Sequence, residues 1–326
     1  MVMRVCVYGA GAIGGLIAAR LSRTGASVSV VARGDTLEAL QRQGVGIVEG
    51  GKTGFHPVHA VAGADQLGVQ DLIVVAVKQP ALNAVLKQFG PLMDANTRVL
   101  LAMNGVPWWF LDGLPDAPSD TVLRCVDPQG DLRRHLPSRQ VLGCVVHLSA
   151  AIESPGMVRL NSGNRLIIGE PCGEISTVTR AVAELLEAGG FEVELSAGIQ
   201  RDIWYKLWGN MTMNPVSALT RATTDSMLDD PLVNRFCCNV MQEAAGIGRA
   251  IGCGVDQTPE QRNATTRKLG AFKTSMLQDV EAGRALEYEA LVGTVYELAG
   301  KLGQEVPNIS TLYGLIRLLA RSATPT

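Results

Sequence analysis

The sequence predicts an α/β fold, with a doubly wound parallel sheet domain at the N-terminus followed by an all-α C-terminal domain. A glycine-rich turn follows the first apolar strand, apolar strand-like runs then alternate with helical patterns, and the pattern becomes helical throughout from about residue 198. We therefore expect a first domain at 1–197 and a second at 198–326, and 326 residues suffice for two domains of about 150 residues each.

The first strand, Val5–Tyr8, runs directly into the motif Gly9-Ala-Gly11-Ala-Ile-Gly14 and then into an apolar helix. Gly9 permits a tight turn, Gly11 lets the backbone approach a pyrophosphate, and Gly14 lets the helix pack closely on the strand. The amides of the helix N-terminus then face the phosphates. The pattern predicts a Rossmann-type dinucleotide site formed by Gly9, Ala10, Gly11, Ala12, Ile13 and Gly14. The alternative is a glycine-rich turn with no cofactor.

The second strand ends at Arg33, about 20 residues after the glycines, where an NAD site usually has an acidic residue for the ribose hydroxyl. A planar guanidinium suits a 2′-phosphate instead, so the sequence favours NADP. The alternative is that Arg33 is a solvated surface residue. Asp35 could be the missing acid, but Asp35 to Glu38 is better interpreted as a helix N-cap with a capping-box glutamate.

Residues 46–53 match the P-loop pattern GxxxxGK[ST], but Thr53 is followed by Gly-Phe-His-Pro, which cannot continue a helix. We interpret this region as a β-hairpin with strands near Val45–Val48 and Phe55–Val61 and a turn at the two glycines 50 and 51. A nucleotide-triphosphatase is therefore not expected.

Two further apolar runs, Leu72–Val77 and Arg98–Met103, have the composition of buried parallel strands. Lys78 and Asn104 follow them directly, as Arg33 follows the second strand. Because ligands of such sheets lie beyond the carboxyl ends of the strands, these three residues are expected at one crevice. After a long excursion at 113–139, three short strands are expected at 142–150, 157–160 and 165–169.

In the C-terminal part, Lys206, Asn210 and Asn214 are spaced i, i+4 and i+8, so they share one face of a helix. Tryptophans on either side supply packing, and a polar row on an apolar helix is costly if buried without partners. The alternative is that the row simply faces water. A later segment, 275–289, is dense in carboxylates and is typical of a solvated helix with pairs such as Glu281–Arg284.

Together these segments resemble the ketopantoate reductase family, the 2-dehydropantoate 2-reductases. The resemblance covers nearly the whole chain in order: GAGAIGG, the arginine after the second strand, VAVK, MNG, SPGMV, KLWGNMTMNP and SMLQDVEAGRALEYE.

The resemblance implies NADPH-dependent reduction of 2-dehydropantoate to pantoate, a step of pantothenate biosynthesis, and suggests a homodimer. Lys206 matches the catalytic lysine, the proton donor to the keto oxygen, and Glu287 matches a glutamate that contacts bound ligands and orders the site. Asn210 and Asn214 match substrate-binding amides, Ser275 a serine that contacts the substrate carboxylate, and Asn104 a residue near both substrate and nicotinamide. Arg33 and Lys78 match cofactor contacts. A lysine suits the role of proton donor because its pKa responds to its surroundings: burial lowers the pKa and a nearby glutamate raises it.

The sequence departs from the family pattern at several places. Glu287 lies in Leu-Glu-Tyr-Glu where many relatives have Thr-Glu-Ile-Asp, and a further polar ligand of some relatives is matched only by Thr224. The aromatic run Trp108-Trp109-Phe110 lies near the expected pocket. A reductase of a different, bulkier 2-oxo acid is therefore a second hypothesis, and a non-catalytic NADP-binding regulator is a third.

Bulk properties exclude other classes of protein. The formal net charge is −2, whereas nucleic-acid binding needs a basic face. No apolar run reaches the length of a membrane span, and the first strand begins too early to leave room for a signal peptide. The seven cysteines form no CxxC and the histidines form no credible metal site, so we expect a cytoplasmic protein with a small-molecule substrate and no metal.

Overall fold

The computed structural model describes residues 2–322. The chain divides into two compact units, of which the first comprises the chain up to Met103 together with Leu132–Ile199. The second comprises Asn104–Asp131 and the chain from Gln200 onward. This division differs from the predicted boundary at 197/198, because Asn104–Asp131, which includes most of the excursion, belongs to the helical unit.

In the described residues, the first unit contains one ten-stranded sheet in the order β4-β3-β9-β8-β7-β6-β1-β2-β5, with β10 paired to β9. Strands β1, β2, β5, β6, β7 and β8 run parallel, β9 is antiparallel to β8, and β4 is antiparallel to β3. The strands are β1 (Arg4–Tyr8), β2 (Ser27–Val31), β3 (Val45–Glu49), β4 (Lys52–His56), β5 (His59–Val61), β6 (Leu72–Val75), β7 (Arg98–Leu101), β8 (Val141–Ser154), β9 (Met157–Gly169) and β10 (Glu192–Leu195).

Helices cover the sheet, as the alternating pattern predicts. They are α1 (Ala12–Leu21), α2 (Gly34–Gln43), α3 (Gln79–Leu86), α4 (Asp131–His135) and α5 (Thr177–Ala188). Every residue of β6 is buried, which explains its continuous apolar run. Helix α1 is buried from Gly14 to Leu21, and its side chains join those of β1, β2 and β9 in one apolar core.

The P-loop pattern lies on a hairpin and leads into no helix. Gly50 and Gly51 form the turn between β3 and β4 with φ values of 56° and 75°, a left-handed conformation that suits glycine in a two-residue hairpin. Lys52 and Thr53 begin β4, so their backbone cannot cradle a phosphate at a helix N-terminus. The predicted second strand at Phe55–Val61 is wrong in extent, since β5 separates from β4 and pairs with β2.

The three strands expected between residues 142 and 169 are in fact two. Strands β8 and β9 form one long antiparallel hairpin that turns between Ser154 and Met157. The dipeptide Ser162-Gly163, which resembles a turn in the sequence, lies inside β9. Gly163 has φ 75° and sits opposite the register shift between His147 and Leu148, so it accommodates an irregularity within the strand.

The second unit is helical after Gln200, as predicted. Its helices are α6 (Ile199–Thr220, which starts in the first unit), α7 (Thr224–Asp229), α8 (Pro231–Ala250), α9 (Pro259–Arg267), α10 (Ser275–Glu281), α11 (Thr294–Lys301) and α12 (Pro307–Ser322), with a π-helical turn at Glu289–Gly293. Trp204 and Trp208 of α6 are fully buried, and the Trp208 indole donates to the Met241 carbonyl oxygen at 2.6 Å. These anchors fix the long helix in the core of its unit.

The segment Asn104–Asp131 contributes apolar anchors to the second unit. Trp108, Trp109 and Phe110 are 2%, 1% and 0% exposed, which leaves almost no surface for a ligand. The backbone amides of Arg124 and Cys125 donate to the Glu297 carboxylate at 2.8 and 2.9 Å, which fastens the middle of the segment. The aromatic run, which the sequence placed near the expected pocket, is therefore part of the apolar core of the second unit.

Between residues 2 and 322, no helix has both the length and the apolar character needed to cross a membrane. Over the same residues, histidine, cysteine, aspartate and glutamate side chains form no group of three that could hold a metal ion.

Candidate active-site residues

The glycine turn of the first unit has the geometry that the motif predicts. Gly9 has φ 102°, and a Cβ there would lie 2.7 Å from Val77 Cγ1, so the tight turn needs glycine. A Cβ on Gly14 would lie 1.9 Å from the Gly9 carbonyl oxygen, so close packing of α1 on the turn also needs glycine. A Cβ on Gly11 would meet nothing within 4 Å, so the backbone faces open space there.

The N-terminus of α1 begins at that open space. Gly11 is the N-cap of α1, and Ala12 and Ile13 begin its first turn. The first amides of a helix have no partner within the helix, and together with the helix dipole they attract anions. With Ala10 as the connecting residue, the turn fits the pyrophosphate of a dinucleotide, which is the group the sequence predicts.

Arg33 and Lys78 flank this turn because of strand register. Tyr8, the last residue of β1, is paired with Val31 of β2 on one side and with Val75 of β6 on the other. Arg33 follows β2 by two residues and Lys78 follows β6 by three, so both stand at the carboxyl edge of the sheet beside the glycine turn. Both are N-caps, of α2 and α3 respectively.

Arg33 is exposed at this edge. Burial raises the pKa of the Tyr8 phenol, and the positive charge of Arg33 offsets part of that rise, so the guanidinium acts electrostatically at the end of β1.

The interpretation of Asp35 as the N-cap is wrong. Helix α2 begins at Gly34 with Arg33 as its N-cap, which leaves Asp35 exposed in the first turn.

In the second unit, the structure joins two of the predicted residues directly. The Lys206 ammonium donates to Asn104 Oδ1 at 2.8 Å, across 102 positions of sequence. Lys206 lies in the first half of α6 and is half-buried, and Asn104 opens the segment that precedes the buried tryptophans. The sequence placed both residues in the candidate site, but it did not predict that they bond to each other.

The polar face of α6 continues toward α10. Asn210 is half-buried one turn after Lys206, and Asn214 is only 5% exposed one turn further on. Asn214 Nδ2 donates to Ser275 Oγ at 3.4 Å, and Ser275 is the exposed first residue of α10. The alternative that this row simply faces water does not describe Asn214, which is inside the unit.

Glu287 lies between α10 and the π-helical turn Glu289–Gly293, and it is half-buried. The expected helix through this segment ends at Glu281, and the expected Glu281–Arg284 pair is wrong. Arg284 pairs with Asp279 at 2.9 Å, while Glu281 pairs with Lys273 at 2.7 Å.

Sequence reasoning missed two residues, Gly105 and Ala290, that connect the Asn104 segment to the π-helical turn. The Val106 amide donates to the Ala290 carbonyl oxygen at 2.8 Å. Gly105 has φ 86°, and a Cβ there would lie 2.6 Å from both the Cβ and the oxygen of Ala290. The Asn-Gly dipeptide was a signal for a left-handed residue, but its packing partner is 185 positions away in the sequence.

Thr224, the match to a further polar ligand in some relatives, has a structural role. It is 1% exposed, its hydroxyl donates to the Gly270 carbonyl oxygen at 2.9 Å, and its amide donates to the Phe272 carbonyl oxygen at 3.0 Å. These bonds hold the segment that leads into α10.

Both halves of the chain match models of the same protein family. The family model for ketopantoate reductase PanE/ApbA matches residues 5–172, and the model for the ketopantoate reductase PanE/ApbA C terminal matches residues 198–320. The chain belongs to the ketopantoate reductase family. It is therefore an oxidoreductase of that family, and the resemblance stated from its motifs is confirmed.

Individual relatives of this ketopantoate reductase family member cover almost its full length. A 2-dehydropantoate 2-reductase of Mesorhizobium japonicum is 38% identical over 319 residues, covering 98% of each chain. A crystal structure assigned to the ketopantoate reductases, from Ralstonia solanacearum MolK2, is 50% identical with a TM-score of 0.94 and covers 99% of each chain. A D-mandelate dehydrogenase solved with NADH and anilino(oxo)acetate is 18% identical with a TM-score of 0.84, covering 98% of this chain and 99% of its own, which shows a shared fold.

Proposed function

We propose that the protein uses NADPH to reduce 2-dehydropantoate to pantoate. The observation that carries the proposal is the hydrogen bond of 2.8 Å between the Lys206 ammonium and Asn104 Oδ1, on a helix face that continues with Asn210 and Asn214. The full-length similarity to a 2-dehydropantoate 2-reductase supports the choice of substrate.

The first unit supports a dinucleotide cofactor, and Arg33 supports NADP in particular. The open space at Gly11 and the amides that follow it fit a pyrophosphate. Arg33, exposed at the neighbouring strand end, is suited to two hydrogen bonds with a 2′-phosphate, and Lys78 adds positive charge on the other side of the turn. When bound, the reduced nicotinamide supplies the hydride.

Lys206 is the proposed proton donor. Reduction of a keto group places negative charge on its oxygen, and an ammonium group about 3 Å away stabilises that charge and then transfers a proton to it. Asn104 accepts a hydrogen bond from the same ammonium, which restricts the directions in which Lys206 can point. One substrate, one NADPH and one proton give pantoate and NADP⁺.

The remaining residues are proposed to bind and orient the substrate. Asn210 and Asn214 offer amide donors and acceptors along α6, and Ser275 offers a hydroxyl for the substrate carboxylate at the start of α10. Glu287 is proposed to contact bound ligands and to help order the site, as its family counterpart does.

The hypothesis of a bulkier substrate loses one of its several supports, the aromatic run at 108–110. Those side chains are buried in the core of the second unit and offer no surface to a ligand. A cytoplasmic location and a homodimer stay predictions.

The test is a panel of 2-oxo acids, each assayed by NADPH oxidation and by NADH oxidation. We expect 2-dehydropantoate with NADPH to give the highest kcat/KM, by about tenfold or more over other 2-oxo acids. A clear preference for another acid would replace the proposed substrate. Oxidation of neither coenzyme with any acid, despite NADPH binding, would favour the regulator hypothesis.

A further inference from the structure

The π-helical turn Glu289–Gly293 has an unusual carbonyl group. In an uninterrupted α-helix, the Ala290 carbonyl oxygen would accept the amide of Thr294, four residues later. Here the Thr294 amide donates to the Glu289 oxygen instead, five residues back. The Ala290 oxygen accepts the Val106 amide at 2.8 Å and the buried Thr294 hydroxyl at 3.0 Å.

We propose that this π-helical turn is a positioning device for the Lys206 ammonium, acting through Gly105 and Asn104. The proposal rests on the proposed function, in which Lys206 is the proton donor. A chain of direct contacts carries it. Ala290 holds Val106 by a backbone hydrogen bond, Gly105 packs against Ala290, and the adjacent Asn104 accepts the hydrogen bond from Lys206.

This series of contacts requires glycine at position 105 for two separate reasons. Its φ of 86° disfavours residues with a Cβ, and its added Cβ would lie 2.6 Å from the Ala290 oxygen, a backbone atom that cannot rotate away. A side chain at this position therefore pushes the Asn104 segment off the π-helical turn. A displacement of about 1 Å in a catalytic group is enough to reduce a rate by roughly a hundredfold.

The placement of π-helical turns in other proteins agrees with this assignment, since they are frequent at functional sites. Glu289, which begins the turn, accepts a hydrogen bond from the Tyr313 hydroxyl at 2.8 Å. Thr294, which follows it, is fully buried. Both ends of the turn are therefore fixed within the second unit, as a rigid support for Asn104 requires.

The experiment is a double-mutant cycle between Gly105→Ala and Asn104→Ala, measured by kcat. We expect Gly105→Ala to lower kcat by about tenfold to a hundredfold while the NADPH Kd changes by less than about twofold. Because both residues act through the same ammonium, Gly105→Ala should add little in the Asn104→Ala background. Gly303→Ala is the matched control, since Gly303 has φ 65° with nothing within 4 Å of its added Cβ.

The proposal would be overturned if the two losses of kcat multiplied in the double variant. It would also be overturned if Gly105→Ala lost no more kcat than Gly303→Ala. Should Gly105→Ala not fold, Thr294 gives a second test. Thr294→Val removes the hydroxyl that binds the Ala290 oxygen, and Thr294→Ser keeps it, so we expect only the valine variant to lose kcat. Equal kcat in the two variants would contradict the assignment.

The proposed function and this inference fail separately. An unchanged kcat for Lys206→Ala would reject the function itself. A large loss for Lys206→Ala, with none for Gly105→Ala and Thr294→Val, would reject the positioning role alone.

Discussion

The two units offer ligands different kinds of surface. In the first unit, the candidate site consists largely of backbone, because there is open space at Gly11 and no room for a side chain at Gly9 or Gly14. In the second unit, the candidate site consists of side chains from separate segments, joined by hydrogen bonds such as Lys206–Asn104. Substitutions in the first should therefore act by adding atoms, and substitutions in the second by removing polar groups.

The largest effect on the fold is expected in the glycine turn. Gly14→Ala places a Cβ 1.9 Å from the Gly9 oxygen and 3.0 Å from Ala76 Cβ, so α1 must move away from the turn. We expect NADPH binding to be lost and the free energy of unfolding to fall by at least about 1–3 kcal/mol, the usual cost of overpacking. Urea unfolding and a fluorescence titration with NADPH measure the two quantities.

Gly11→Ala is the matched comparison for that variant. Its added Cβ meets no protein atom within 4 Å, so stability should be unchanged, while the methyl group occupies space proposed for the pyrophosphate and weakens NADPH binding. Equal NADPH affinity in Gly11→Ala and the wild type would mean that the dinucleotide lies elsewhere.

The next effect concerns the choice between coenzymes. Arg33→Ala removes the guanidinium proposed to bind the 2′-phosphate, and a hydrogen bond to a charged group contributes about 1.5–3 kcal/mol. We expect the NADPH Kd to rise about tenfold to a hundredfold while the NADH Kd stays nearly constant. The control is Arg42→Ala, because Arg42 lies in the last turn of α2, the helix whose N-cap is Arg33. An equal loss of affinity for NADPH and for NADH would remove the argument for NADP.

A smaller effect is expected at Thr224, where a hydroxyl is buried for structural reasons. Thr224→Val keeps the shape but leaves the Gly270 oxygen without its donor, so the free energy of unfolding should fall by about 1 kcal/mol. Thr311→Val removes a similar bond to the Pro307 oxygen on an exposed helix face and should cost less. Urea unfolding measures both variants. An equal loss of unfolding free energy in the two would contradict the expectation that the buried hydrogen bond contributes more.

The smallest effect is expected at an exposed ion pair of the first unit. Hydrogen bonding to the Arg4 guanidinium lowers the pKa of Asp71 from its usual 3.8. A carboxyl whose pKa falls on folding contributes stability above its unfolded pKa and loses that contribution as pH falls through the folded pKa. Asp71→Asn should therefore be slightly less stable than the wild type at pH 7, and the difference should shrink at an acidic pH well below 3.8 or in 1 M NaCl. Thermal unfolding at the two pH values is the measurement, and a difference that persists at low pH would point to another cause.

Much of the first unit could be predicted from the sequence because its signals are local. The strand, the glycines and the helix of the turn are adjacent in the chain, and parallel register brings Arg33 and Lys78 beside them. Prediction was wrong where two local signals looked alike. Pro155-Gly156 turns the chain, whereas Ser162-Gly163 lies within β9, and only pairing with β8 distinguishes them.

In the second unit, helix and face could be predicted but partners could not. Spacing alone placed Lys206, Asn210 and Asn214 on one side of α6. The bond from Lys206 to Asn104 and the contact of Gly105 with Ala290 join residues 102 and 185 positions apart, which no periodicity records. The burial of Trp108 was missed for the same reason, since it depends on packing within the helical unit.

The most direct test of the account is the effect of Lys206→Ala on the chemical step, with Lys268→Ala, an exposed lysine of the same unit, as the control. The account predicts that kcat for 2-dehydropantoate reduction falls by about 10²–10⁴-fold, as expected for loss of a positioned proton donor, while the NADPH Kd stays within about twofold. A kcat equal to that of the control variant would contradict the account, because the ammonium bonded to Asn104 would then have no part in the reaction.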